Sequence, residues 1–271
     1  MFPSQFEYVR ANSVEEVVGI LGEDEDAKII AGGHSLLPLM KLRLATPSTL
    51  VDIGRLSELS FVEDRGDYIA IGALTRHRDI ETSRLLADHV PLLGHVAGQV
   101  GDPQVRHRGT IGGSIAHGDG ASDLPAAILA LEATLVINGA RGQRTVAATD
   151  FFKGFLETDL AQGEVLSEIR VPKSPGGWSF QKFNRRAQDW AIVGVALVKG
   201  ATTRISLINM GPTPLRAYAS EEAVNAGASI EEASALASEG ISPPSDINAS
   251  AEYRRHLASV LLRRALQEAS A

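Results

Sequence analysis

The sequence contains no cysteine in its 271 residues. Disulfides, cysteine nucleophiles, cysteine-based zinc sites and cysteine-ligated iron–sulfur clusters are therefore excluded from this chain. Aromatic residues make up only 5% of the chain, which disfavours a binder of single-stranded nucleic acid, because such proteins stack bases on aromatic rings. Any redox role of this chain must depend on a cofactor that needs no sulfur ligand.

Basic residues are outnumbered, and long apolar runs are missing. Lys and Arg total 26 against 33 Asp and Glu, a net charge of −7, whereas nucleic-acid binding requires a basic face. The longest run of apolar residues and glycine, 191–198, is far shorter than the ~20 residues that span a bilayer. The first ten residues contain no apolar stretch typical of a signal peptide. We predict a cytoplasmic protein with no transmembrane segment and no nucleic-acid partner.

The first third of the chain alternates between strand-like and helical patterns. A capping box of Ser13 and Glu16 predicts a helix that ends at Gly22. Strands are predicted over 27–31, 49–53 and 68–73, and Pro38 is placed in the first turn of a helix. This alternation favours an α/β or α+β domain over an all-β one.

The pattern changes after a cluster of breakers at 172–177, which is the best domain boundary in the chain. Before it, the sequence predicts a helix over 126–132, a hairpin with its turn at 138–142, and a strand over 164–171. After it, three consecutive strands are predicted over 178–184, 191–198 and 203–208, then helices over 220–225, 229–238 and 251–268. We predict a first domain of residues 1–172 and an α+β domain of residues 178–271.

The usual catalytic and nucleotide-binding motifs are missing. Neither G-x-G-x-x-G, the P-loop, G-x-S-x-G nor H-E-x-x-H occurs, so the Rossmann, P-loop, hydrolase and zincin interpretations lose their main support. The seven histidines have no metal-ligand spacing. We predict no metal site and no side chain that acts as a nucleophile or general base.

Two segments rich in glycine and hydroxyl residues remain, Ala31–Ser35 and Thr110–Ser114. Consecutive glycines let backbone N–H groups approach an anion closely, and Ser and Thr add hydroxyl donors. Each segment alone is more typical of a tight turn than of a ligand-binding loop. Together, and with the helix start at 122–125, they favour one long anionic ligand held at several points.

These strings resemble the FAD-binding medium subunit of molybdenum hydroxylases, a family that includes carbon monoxide dehydrogenase and the FAD domain of xanthine dehydrogenase. The resemblance covers essentially the whole chain; one departure is Asp119-Gly120, where the family has Asp-Pro. It implies an α+β fold: an FAD-binding domain of two subdomains with mixed sheets and helices, then a smaller domain with a three-stranded antiparallel sheet and helices.

The resemblance also implies the FAD-binding residues. They are Ile29, Ile30, Ala31, Gly32, Gly33, His34, Ser35, Leu36, Val100, Gly101, Thr110, Ile111, Gly112, Gly113, Ser114, Asp123, Leu166, Lys182 and Trp190. The two glycine segments would wrap the diphosphate, Asp123 would bond the polar chain beside it, and Trp190 would shield the flavin ring. From the residues alone, Leu166 is more typical of a strand core and Lys182 of an exposed strand lysine, and Trp190 is as typical of an ordinary interface as of a flavin contact.

As implied by the family, the function is that of a flavin subunit, active only in its complex. It would pass electrons from the [2Fe–2S] clusters of a small iron–sulfur subunit, fed by a large molybdenum-cofactor subunit, through FAD to NAD or a quinone. A dimer of heterotrimers is the expected assembly. Two alternatives are a self-sufficient FAD-dependent oxidoreductase, which needs a substrate pocket of its own, and a non-enzymatic module for another phosphate ligand.

Overall fold

A three-stranded parallel sheet begins the computed structural model, which describes residues 2–270. Its strands lie in the order β1-β3-β2. The elements of this subdomain are β1 (Glu7–Arg10), α1 (Val14–Glu23), β2 (Lys28–Ile30), α2 (Leu36–Lys41) and β3 (Thr49–Asp52), followed by a 3₁₀ turn (Ser57–Leu59).

The helices of this subdomain follow the predicted signals closely. Ser13 caps α1 by accepting a hydrogen bond from the Glu16 N–H. The Glu16 carboxylate accepts from the Asn12 N–H at 2.7 Å, so the return contact of the capping box is made one residue earlier than predicted. The helix continues through Gly22 to Glu23. Pro38 lies in the first turn of α2, as predicted.

A five-stranded antiparallel sheet forms the second subdomain, with β10 at its centre in the order β4-β5-β10-β6-β7. Its elements are β4 (Val62–Asp64), β5 (Tyr68–Gly72), α3 (His77–Glu81), α4 (Arg84–His89), α5 (Pro91–Gly98), α6 (Pro103–Arg108), α7 (Ile111–His117), α8 (Asp123–Ala130), β6 (Thr134–Gly139), β7 (Gly142–Ala147), α9 (Ala148–Phe151), β8 (Phe152–Gly154), β9 (Glu157–Thr158) and β10 (Val165–Pro172). The predicted hairpin is the β6–β7 pair.

The second glycine segment is helical, which corrects its prediction as a loop. Thr110 is the N-cap of α7, and its hydroxyl accepts a hydrogen bond from the Gly113 N–H at 3.1 Å. Glycine disfavours a helix interior by about 1 kcal/mol, but here the cap and burial outweigh that cost. A Cβ at Gly112 would lie 2.6 Å from the Ala73 carbonyl oxygen, so glycine is what lets α7 pack against the chain after β5.

The C-terminal domain carries the three predicted strands and one more. Its elements are β11 (Trp178–Phe183), β12 (Val193–Lys199), β13 (Thr203–Ile208), β14 (Leu215–Arg216), α10 (Tyr218–Asn225), α11 (Ile230–Ala235) and α12 (Ala251–Glu268). All four strands are antiparallel in sequence order. The short strand β14 has no sequence signal, because two residues are too few to show an alternating pattern.

Helix α8 lies between the two domains and is buried along its whole length. One face of the C-terminal sheet, including Ala196, Val198 and Ile208, belongs to the same hydrophobic core as α8 and the five-stranded sheet. The other face, including Val195 and Leu197, packs against α12 and its neighbours. Burial on both faces explains the continuous apolar run in β12. The burial of α8 between the domains also holds its N-terminus close to β11, the first strand of the C-terminal domain.

Within residues 2–270, no helix is both long enough and apolar enough to cross a membrane.

Candidate cofactor site

A cavity of about 640 Å³ lies where the two subdomains meet the C-terminal domain. Its wall includes residues from β2, from the turn before α2, from α7 and α8, and from β11 and the loop after it. Of the residues predicted from the sequence, all line this cavity except Ile111, Gly112 and Leu166. A cavity of this size, with mixed polar and apolar walls, suits a small-molecule cofactor.

The turn between β2 and α2 presents a row of unused backbone donors to the cavity. Within the described part of the chain, the amide N–H groups of residues 32–36 donate no hydrogen bond to a protein acceptor. Gly33 has φ +76°, in the left-handed region, and Ser35 is right-handed. The segment is a turn, and successive N–H groups in a turn can form a concave nest that binds anions. We call residues 32–36 the amide nest.

The second glycine segment contributes differently from the first. Its amides are already used: Ile111 N–H donates to the Thr75 carbonyl, Gly112 N–H to Ala73, and Ser114 N–H to Thr110. Ile111 and Gly112 are buried in the core and lie outside the cavity wall. Gly113 is exposed and Ser114 half-buried, so this segment offers the cavity a smooth backbone surface and one hydroxyl instead of a second nest.

At Gly32, the first glycine segment touches the chain directly before the second segment, at Arg108 and Gly109. A Cβ on Gly32 would lie 2.8 Å from Gly109 Cα and closer still to the Arg108 carbonyl oxygen. The guanidinium of Arg76 donates to that same carbonyl. Glycine at position 32 is therefore required by the close approach of two backbones, and this contact fixes the amide nest relative to α7.

Asp123 and Lys182 form a buried ion pair in the cavity wall. Lys182 Nζ lies 2.6 Å from Asp123 Oδ2 and 3.2 Å from the Gln99 carbonyl oxygen. The exposed fractions of the two side chains are only 7% and 9%, so Lys182 is not a solvent-exposed strand lysine. Burial raises the pKa of Asp123, and the Lys182 charge opposes that rise. Asp123 Oδ1 is buried without a partner in residues 2–270, which leaves an acceptor for a ligand hydroxyl.

His77 lies in the cavity wall beside the contact between the glycine segments. It is 4% exposed, and its Nδ1 has no hydrogen-bond partner among the described residues. Burial, assisted by the nearby His34 and arginines, lowers the pKa of His77 to about 4. Its imidazole is therefore neutral at neutral pH. The sequence gives no signal for this residue beyond a histidine between two arginines.

Val100 and Gly101 line the cavity between α5 and α6. Arg106 holds them in place: its Nη1 lies 3.2 Å from the Val100 carbonyl oxygen and 3.3 Å from that of Gly101. Its Nε lies 3.0 Å from Glu81 Oε2. The side chain of Arg106 is 13% exposed. This arginine is therefore part of the scaffold of the site.

The segment 158–164 forms a wall that sequence reasoning missed. Arg144, on β7, binds Glu164 through two hydrogen bonds of 2.8 and 2.6 Å and reaches Asp159 Oδ2 at 2.7 Å. Gln162 donates to the carbonyls of Leu21 and Asp24 at the end of α1. Arg144 thus fastens this wall at both ends, and Gln162 joins it to the first subdomain. Only the folded chain brings residues this far apart together.

Apolar side chains line the cavity beside this wall. Leu21, Ala27, Ile29 and Leu160 contribute to it, and Gly163 (φ +75°) packs near Gly22 at the end of α1. The lining therefore combines an apolar slot, the amide nest and the Asp123–Lys182 pair.

The remaining predicted residues lie at the rim or in the core. Trp190 borders the cavity and is 57% exposed. Its neighbour Asp189 pairs with Arg186. Leu166 is 5% exposed and belongs to the central core, so it occupies the position of a strand core residue and lies outside the cavity wall.

Comparison with known proteins places this chain in a family. The family model described as the FAD binding domain in molybdopterin dehydrogenase matches residues 4–174. The model described as the CO dehydrogenase flavoprotein C-terminal domain matches residues 178–269. Together they account for nearly the whole chain.

The similarity to known proteins extends over nearly the full length of this chain and of its relatives. The chain is 42% identical to the carbon monoxide dehydrogenase medium chain of Hydrogenophaga pseudoflava, over 99% of this chain and 98% of that one. It is 38% identical to the nicotine 6-hydroxylase medium subunit of Paenarthrobacter nicotinovorans, over 97% of each. A solved structure of the H. pseudoflava carbon monoxide dehydrogenase, in a form lacking the Mo-pyranopterin moiety, superposes with a TM-score of 0.96 at 43% identity, covering 100% of this chain and 99% of that one.

Proposed function

The chain belongs to the family of FAD-binding medium subunits of molybdenum hydroxylases, and we propose that it holds FAD in the cavity described above. The observation that carries this proposal is the amide nest facing the same cavity as the partnerless Asp123 Oδ1. A nest suits a diphosphate, and a buried carboxylate oxygen suits a hydroxyl donor. FAD presents both groups, joined in one molecule.

We propose a role for each group of residues that lines the cavity. The amides of residues 32–36 donate to the diphosphate, and the Ser114 hydroxyl adds a donor beside them. Asp123 accepts from the polar chain, while Lys182 keeps its carboxylate charged and oriented. Leu21, Ile29 and Leu160 offer an apolar slot for an aromatic base. Trp190 lies at the rim, where we place the flavin ring.

Bound FAD supplies electron transfer in steps of one or two electrons. The residues of this chain bind it, orient it and set the polarity around it; none of those lining the cavity is needed as a nucleophile. Because the chain has no cysteine, it cannot itself hold cysteine-ligated clusters. We therefore infer that electrons reach it from [2Fe–2S] clusters of a small partner subunit, which a large molybdenum-cofactor subunit feeds.

The outlet of this electron path is the exposed rim near Trp190. We propose that NAD or a quinone takes electrons there, and that the working assembly is a dimer of heterotrimers. The names of the relatives support a multi-subunit complex, since they are called medium chains or medium subunits. We also propose the domain division at residues 1–172 and 178–271, which is supported by the breakers between β10 and β11.

Purification of the native complex tests this function. We expect the chain to be yellow, with flavin absorbance, and to bring with it molybdenum, iron and two further polypeptides. A colourless chain that cannot be loaded with FAD would contradict the cofactor assignment and favour a module for another phosphate ligand. A chain that turns over an organic substrate alone would favour a self-sufficient oxidoreductase.

A further inference from the structure

Asn209 joins two segments of the cavity wall from behind. It follows β13 in the left-handed conformation, with φ +59°. Its side-chain Nδ2 donates to the Ala191 carbonyl at 2.8 Å, and its backbone N–H donates to the Gly120 carbonyl, also at 2.8 Å. One residue thus holds both the end of the Trp190 loop and the turn that leads into Asp123.

The turn before Asp123 is shaped for this contact. A Cβ on Gly120 would lie 3.0 Å from the Gly211 carbonyl oxygen and 2.9 Å from the Thr213 carbonyl carbon. Glycine at this position therefore gives the chain after β13 room to approach. The turn is also held internally, because Ala121 N–H donates to Asp119 Oδ1 at 2.8 Å. These contacts make the turn a fixed support for Asn209.

Arg254 locks Asn209 in place from α12. Its side chain is completely buried. One Nη donates to the carbonyls of Ile192 and Asn209, and the other lies 2.7 Å from Asp246 Oδ2. A buried charge is costly unless it is paired, and Arg254 is paired with Asp246. Its bonds to the carbonyls of Ile192 and Asn209 fix the backbone at Asn209 and directly after Ala191.

The loop that carries Trp190 has weaker restraints of its own. Trp190 is 57% exposed. Inside the loop, the Asp189 N–H donates to the Arg186 carbonyl at 2.9 Å. The Asp189 carboxylate also pairs with Arg186 at 3.1 Å and with Arg185 at 3.8 Å, and both arginines are largely exposed. Exposed pairs contribute little. The position of the rim therefore depends mainly on the base of the loop. There the Ile192 N–H donates to the Phe183 carbonyl at 2.7 Å, and Ala191, 1% exposed, accepts from Asn209.

We propose that Asn209 is a positioning residue for the cofactor site, which sets Trp190 at the rim in register with Asp123 in the wall. Its left-handed backbone is what lets one residue present its N–H to Gly120 and its side chain to Ala191. Its meaning for flavin chemistry rests on the proposed function. The hydrogen bonds from Asn209 to Ala191 and Gly120, which join the rim to the wall, do not depend on a bound cofactor.

The test uses the full chain with Trp178→Phe, which leaves Trp190 as the sole tryptophan. Asn209→Gly keeps the left-handed backbone accessible and removes only the side-chain bond to Ala191. We expect the acrylamide quenching constant of Trp190 to rise at least about twofold, as loss of one hydrogen bond frees the base of the loop. Arg43→Gly is the matched control: it has the same φ of 59° and lies outside the cavity wall, and it should leave quenching unchanged.

Asn209→Asp provides a second variant, because its carboxylate replaces the donor with an acceptor facing the Ala191 carbonyl. It should raise the quenching constant further. Unchanged quenching in Asn209→Gly, with Trp190 as accessible as in the parent, would overturn the proposal. The measurement needs no FAD, so this failure is distinct from failure of the chain to bind flavin. In FAD-loaded protein, the quenching of Trp190 by bound flavin should weaken in Asn209→Gly and stay unchanged in Arg43→Gly.

Discussion

Lys182 on β11 and Asp123 at the start of α8 form an ion pair with 2.6 Å between Nζ and Oδ2, inside the protein and across its two domains. The pair is separated by 59 residues in the sequence. It joins the C-terminal domain to the wall of the cofactor cavity, and it leaves one carboxylate oxygen of Asp123 available to a ligand. The cavity is therefore complete only when both domains are docked.

Breaking this pair should destabilise the fold. Lys182→Met leaves a buried carboxylate without its cation, which typically costs about 3–5 kcal/mol. Adding Asp123→Asn removes the orphaned charge and should restore a large part of the loss. Urea denaturation of the wild type, both single variants and the double variant gives the coupling energy. Lys173→Met, which breaks a half-exposed pair with Asp64, is the control and should cost about 1 kcal/mol or less. Equal losses in the two lysine variants would contradict the burial argument.

Gly33→Ala should weaken FAD binding by about tenfold, because a left-handed alanine costs roughly 1–2 kcal/mol. The free protein can relax that strain, but binding requires the amide nest to re-form. Fluorescence titration with FAD measures the effect. Gly66→Ala is matched to it: Gly66 has φ +85° but open space around it and lies outside the cavity wall. If both variants bind FAD like the wild type, the nest does not hold the diphosphate.

Arg144→Met should release FAD faster, by about tenfold, because charged hydrogen bonds that fasten the wall at 158–164 are lost. Stopped-flow release of FAD into excess apoprotein measures the dissociation rate. Arg170→Met serves as the comparison, since it breaks a similar 2.6 Å pair with Glu168 on β10 away from the cavity. An unchanged rate in Arg144→Met would show that this wall does not retain the cofactor.

His77 should make the fold sensitive to acid. Burial lowers its pKa from 6.5 to about 4, so the unfolded chain binds the proton more tightly than the folded one. The contribution of neutral His77 to the free energy of unfolding is present above pH 6.5 and is lost as the pH falls towards 4. The loss is roughly 2 kcal/mol between pH 7 and 5. Urea denaturation at several pH values should show a smaller slope in His77→Leu. The exposed His107 provides the comparison: His107→Gln should keep the wild-type slope, and the interpretation fails if His77→Leu keeps it too.

The sequence predicted best where the signal is local. The strands at 178–183, 193–199 and 203–208 follow from apolar runs bounded by turn residues, and the long helix at 251–268 was predicted with its observed bounds. The turn at Ala31–Ser35 follows a strand and ends in a helix, as expected from its glycines. The amides of residues 32–36 donate no backbone hydrogen bond, and their role in binding an anion stays a prediction.

Local patterns failed where packing decides. The four helices between residues 77 and 108 are short, and too few turns are present to show a helical period. Glycines at 112 and 113 indicated a loop, but a threonine cap and the contact with Ala73 hold a helix there.

The sequence by itself determined that this chain has no cysteine ligand for a metal, that a glycine-containing turn follows its second strand, and how the C-terminal strands succeed one another. These properties depend on composition and on neighbouring residues. Only the tertiary structure decided that Asp123 meets Lys182, that Arg144 fastens a wall of the cavity, and that Asn209 joins Ala191 to Gly120. Those contacts join distant parts of the chain, and they exist because burial of α8 between two sheets brings the parts together.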